Sequence, residues 1–151
     1  MQSLNFDDGL KSFAINGDES RVIRFNPGDP DLIIRYNEAK KMLQSANTGK
    51  LAEIKLDGNG NLQKDADGGF EDAAQALEET NGVIREALKL IFNADVYDTV
   101  FAGCSPFAGT KDGRFVFEAF MDAVKPILES GIAEYRAASE KRMEKYTKGY
   151  K

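Results

Sequence analysis

The residues best placed to do chemistry are the oxygen-bearing side chains at alternate positions of Asp57-Gly58-Asn59-Gly60-Asn61, followed by Asp65 and Asp67. Alternating oxygens on a loop are how calcium is chelated, so Asp57, Asn59, Asn61, Asp65 and Asp67 are the metal candidates. The rest of an EF-hand pattern is absent. A loop opening at Asp57 needs glycine sixth and glutamate twelfth but has Leu62 and Gly68, and one opening at Asp65 has Phe70 and Ala76. The sequence therefore assigns no metal, and a calcium-responsive binding module stands only as an alternative reading.

Other chemistry is excluded by residue type. The chain has no histidine and no tryptophan, and Cys104 is its single cysteine. Histidine-based triads, histidine-ligated zinc, paired-cysteine redox motifs and internal disulfides are thus unavailable. Cys104 has no histidine to activate it and reads as a small buried packing residue. Gly58 and Gly60 lack the remainder of a dinucleotide fingerprint, and no GxxxxGK[ST] loop occurs. The carboxylate pairs Asp7-Asp8, Asp65/Asp67, Glu71-Asp72 and Glu78-Glu79 sit among polar residues, where nothing would shift a pKa toward acid–base work. We expect no enzyme, no catalytic residue and no cofactor.

Binding is better supplied. Five of the ten phenylalanines, Phe101, Phe107, Phe115, Phe117 and Phe120, crowd one short stretch. They are core-forming or, for Phe101, Phe107 and Phe115, candidates for an apolar face offered to a protein partner. The tail from Ser139 to Lys151 is basic with Tyr146 and Tyr150 interleaved, which suits a solvated helix end as well as a nucleic-acid contact.

These residues must be carried by one domain of 151 residues, 42% hydrophobic and with a formal charge of −5. The mild acidity argues against nucleic acid as the main partner. Residues 57–98 hold ten acids and three bases, whereas 139–151 hold five bases and two acids, an asymmetry that lets the two regions attract one another within a chain or, by self-association, between copies. No apolar run reaches the ~20 residues of a membrane span, and residues 1–8 do not read as a signal peptide, so a cytoplasmic location is expected.

The elements follow from spacing. Leu10–Ile15 and Arg21–Phe25 flank Asn16-Gly17-Asp18, a hairpin signal, with a further short strand at Ser3–Phe6, so that the hairpin occupies about 3–25. Asp29 caps and Pro30 opens a helix over about 30–47, whose apolar stripe runs Leu32, Tyr36, Ala39, Leu43, Ala46. Residues 57–69 read as a mobile polar loop. Helices over about 70–93, 95–102 and 115–146 follow; Asn81-Gly82 could break the first of these, Thr80 fills a gap in its stripe, and Pro126 should kink the last. The fold class is α+β, mainly helical, with an N-terminal antiparallel β-hairpin packed on three to four helices.

Phe13-Ala14-Ile15-Asn16-Gly17-Asp18 and Arg21-Val22-Ile23-Arg24-Phe25-Asn26-Pro27-Gly28-Asp29, with Ser105-Pro106-Phe107 and Asp112-Gly113-x-Phe115-Val116-Phe117 further on, resemble the tail assembly chaperones of long-tailed bacteriophages and prophages. The resemblance covers about a third of the chain and lies in fold-forming residues, so it transfers no site residue. It implies a non-enzymatic helper in the bacterial host cytoplasm that binds the tape-measure protein while tail-tube subunits assemble. A structural protein of the tail or head–tail connector is the alternative.

Overall fold

A computed structural model describes residues 1–45 and 69–148. The order of elements is β1 (Lys11–Ile15), β2 (Asp18–Phe25), α1 (Asp31–Ser45), α2 (Gly69–Phe92), α3 (Tyr97–Phe101) and α4 (Val116–Lys148). This is the α+β, mainly helical arrangement the sequence predicts. The chain divides into two compact units, residues 1–34 with 98–151 and residues 35–97.

In the first unit β1 and β2 pair antiparallel, with Phe13 opposite Ile23 and Lys11 opposite Phe25. Asn16 and Gly17 both take positive φ, 52° and 76°, as the twist of a tight hairpin requires. A register shift follows between Ala14 and Ile15. Period-two alternation puts Arg21, Ile23 and Phe25 on one face of β2, where Ile23 and Phe25 are buried and Phe25 stacks on Phe13 with ring centroids 4.7 Å apart. Arg21 shares that inward face because it has a partner. Its guanidinium donates to the carbonyls of Thr99 (2.9 Å) and Val100 (2.6 Å), which the short α3 would otherwise leave unmatched at its end.

The strand expected at Ser3–Phe6 does not form. The Asp7 and Asp8 carboxylates accept the amides of Gly9 (2.9 Å) and Leu10 (3.0 Å), and Gly9 takes a φ of 73°, so the chain turns before β1 begins. With no strand to pair with, residues 1–10 stay outside the sheet.

The Asp29 cap is present: its carboxylate accepts the Asp31 amide at 2.9 Å and its carbonyl the Leu32 amide at 3.0 Å. Helix α4 runs without a break from Val116 through Pro126 to Lys148. Val124 and Leu128 supply its buried positions, and Gly131 is buried as well. A Cβ at Gly131 would collide with the Pro27 carbonyl, so only glycine lets the 26–28 turn lie on the helix.

In the second unit α2 is continuous through Asn81-Gly82 and buries Ala76, Thr80, Ile84, Ala87, Leu88, Ile91 and Phe92. The Thr80 hydroxyl donates to the Ala76 carbonyl at 2.7 Å, which satisfies the one polar group in the buried stripe. Asn93 closes the helix in the left-handed region with φ 54°. Arg35 of α1 donates to the Ile91 carbonyl at 3.1 Å, and Ala39 from the same helix is fully buried. Arg85 holds both Asp95 carboxylate oxygens (3.0 and 3.1 Å) while lying 4.3 Å from the Tyr97 ring centre.

Candidate functional site

The phenylalanine-rich stretch is built by a knotted run of backbone bonds in the first unit. The Phe107 amide donates to the Ser105 hydroxyl (3.1 Å), Val116 to the Ala108 carbonyl (2.8 Å) and Phe117 to the Pro106 carbonyl (2.9 Å). Between them Thr110 and Arg114 close a tight loop, whose positive-φ residue is Gly113. The effect is to bring Phe107 and Phe115 together, edge to face, with ring centres 5.4 Å apart. Phe115 is 42% exposed and Phe107 half-buried.

Phe101 is placed differently. It is 3% exposed and meets Phe120 edge-on at 6.4 Å, so it fills the interior and leaves only Phe107 and Phe115 of the three candidates at the surface. Cys104 is a correction in the opposite sense. Ala102 and Gly103 both turn left-handed at the end of α3, and this delivers the thiol to solvent, not to the packing position its apolar neighbours suggest.

The loop that carries Phe115 is pinned by charge. Asp112 receives the Thr110 hydroxyl and the Arg114 amide, and the Arg114 guanidinium lies against it at 2.8 Å; these donors hold the carboxyl below its ordinary value. Arg114 also reaches Asp122 of α4 at 2.6 Å, and the two carboxylates raise its pKa. The three groups are exposed, and their arrangement fixes a turn without enclosing a reactive centre.

A second apolar feature was not foreseen from sequence. Pro30, Ile33, Ile132, Tyr135, Ser139, Met143 and Thr147 line an open groove of about 620 Å³ along the C-terminal half of α4, with Arg136 near one end and Glu140 and Glu144 farther along. Ile33, Tyr135 and Met143 are 54%, 48% and 60% exposed. The signal was in the spacing of Ile132, Tyr135, Ser139 and Met143, a helical stripe continuing past the last buried residue, but their polar neighbours read as a solvated tail.

The calcium candidates Asp57, Asn59, Asn61, Asp65 and Asp67, the rest of the polar stretch up to residue 68, and Tyr150 lie outside the described residues. Among the described residues no cluster of three or more histidine, cysteine or acidic side chains could hold a metal ion, and no helix is long and apolar enough to cross a membrane. No family model, curated protein or solved structure matches the chain.

Proposed function

We propose that this chain is a non-enzymatic protein-binding helper of the phage or prophage tail assembly chaperone type, acting in the bacterial cytoplasm. It binds an extended helical client, the tape-measure protein, and keeps the client soluble while tail-tube subunits gather around it. One observation carries this reading. Every large apolar side chain exposed among the described residues belongs to the first unit, from Leu4 and Phe6 through Ile33, Ile34 and Phe115 to Tyr135 and Tyr146. Exposed apolar side chains of this kind suit a protein-interaction face, and an amphipathic helix laid against them would bury its own apolar stripe.

The reading expects a long helix-rich protein to be encoded beside this gene, and the test is co-expression with it. The reading expects the client to stay in the soluble fraction and to copurify with this chain. A client equally insoluble with and without the chain overturns it. Recovery of the chain as a fixed component of purified particles overturns it in favour of a structural tail or connector protein.

A further inference from the structure

The C-terminal half of α4 is a helix without enough to pack against. From Ala133 to Thr147 only Ser139 is not exposed. A lone helical stretch of about 15 residues is marginal in water, because helices in proteins are held chiefly by burying an apolar face. Such a face is present here. Ile132, Tyr135, Ser139, Met143 and Tyr146 follow one another at intervals of three, four, four and three residues. At about 100° per residue these intervals keep all five within about 40° of one line along the helix. Tyr135, Met143 and Tyr146 are exposed, and Pro30 and Ile33 line the same groove as Ile132, Tyr135 and Met143.

The order of the intervals decides what fits. Three, four, four, three reads the same in both directions from Ser139, so the face matches itself when a second copy runs antiparallel. Ser139 then meets Ser139 of the second copy, Tyr135 meets Met143, and Ile132 meets Tyr146. The small serine at the centre lets the two helices approach to the usual ~8–10 Å.

Charge selects the same pairing. The charged side chains lining the groove are Arg136, Glu140 and Glu144. Arg136 lies three residues before Ser139, and the two glutamates lie one and five residues after it. A two-fold axis between antiparallel helices brings like flanks together. Arg136 of one copy therefore falls between Glu140 and Glu144 of the other, about 3 Å along the helix from each, and the contact occurs twice. The two Glu140 side chains straddle the axis, each with the other copy's Arg136 beside it. On the opposite flank Glu134 of the second copy falls between Arg142 and Lys145. We propose that the exposed half of α4 pairs antiparallel with the same segment of a second copy, about a two-fold axis at Ser139. The pairing is independent of the client assigned above, to which Leu4, Phe6, Ile34 and Phe115 remain open.

The experiment follows the full chain by sedimentation velocity over a range of concentrations, under reducing conditions. The wild type should be dimeric, and Tyr135→Glu/Met143→Glu should dissociate at least about a hundredfold more readily, since it removes four large apolar contacts per dimer. Arg136→Glu alone sets acid against acid at both ends, and Glu140→Lys/Glu144→Lys alone sets base against base. Each should dissociate about tenfold more readily than the wild type. An equal mixture of these two charge variants should recover a one-to-one complex, because both ends are then complementary again. All five side chains are exposed, so circular dichroism should show every variant folded. The register is read separately in a Cys104→Ser background. Ser139→Cys should form a disulfide-linked dimer on mild oxidation, and Lys141→Cys, on the far side of the helix, should not. A wild type that is monomeric throughout overturns the proposal. So does a charge-variant mixture that recovers no complex, or a Ser139→Cys chain that cross-links no faster than Lys141→Cys. Failure of client rescue with the charge exchange intact sinks the functional reading alone.

Discussion

A methyl group at Gly131 would meet the Pro27 backbone and no flexible side chain. Gly131→Ala should therefore force the 26–28 turn off α4 and cost about 1–3 kcal/mol in urea denaturation, even though alanine is the better helix former. Asp112 makes a pH prediction. Its carboxyl sits below the ordinary value of 3.8 because the Thr110 hydroxyl and the Arg114 amide and guanidinium favour the charged form. Its contribution is thus complete above about pH 4 and disappears as acid protonates it through the lower folded value. Asp112→Asn should lower the neutral plateau slightly and flatten the acid limb, so that its stability-versus-pH curve and the wild type's converge below that point. At this scale the sequence was most opaque where a single side chain acts over distance. Arg21 caps α3 across 78 positions and Arg35 bonds the end of α2 across 56, and no periodicity announces either. Cys104 was misplaced for a related reason: its exposure depends on a left-handed turn at Ala102 and Gly103 that composition does not encode.

At the level of elements the pattern was far more readable. Asn16-Gly17 marked the hairpin, Asp29-Pro30 the start of α1, and Leu77, Ile84, Leu88 and Ile91 the stripe of α2, because each signal is local and repeated. The Ser3–Phe6 strand failed because alternation is necessary for a strand and a partner ladder is also needed. Helix α4 is the element under most tension. Pro126 lies in its interior on an exposed position and denies the Asp122 carbonyl the amide it would receive there. Pro126→Ala should restore that bond and raise stability by about 1–3 kcal/mol, read as a higher midpoint in thermal unfolding. Beyond Ile132 the same helix has Ser139 as its only residue that is not exposed through Thr147, so its amides should exchange with solvent much faster than those around Val124.

Exposed apolar area among the described residues, and charge along the whole sequence, are unevenly shared. The first unit holds the exposed large hydrophobic side chains among the described residues, while residues 57–98 carry most of the excess acid. The charge asymmetry was visible in the sequence. The apolar asymmetry was not, because periodicity gives a stripe without saying whether anything covers it. Replacing Ile33, Ile34 and Phe115 together by glutamine should leave unfolding free energy within about 0.5 kcal/mol per site, as expected for surface positions. The same change should sharply lower binding of a hydrophobic dye and abolish client rescue. A large loss of stability would instead show these side chains to be structural.

The exposed thiol of Cys104 has a practical corollary. Being the chain's single cysteine, it can take one maleimide fluorophore at a defined place without any engineering. Two separately labelled pools, donor and acceptor, would then report any self-association in real time by energy transfer. Unlabelled protein purified without reductant should run partly as a disulfide-linked pair on a non-reducing gel, a covalent species that must be reduced before any associated mass is interpreted.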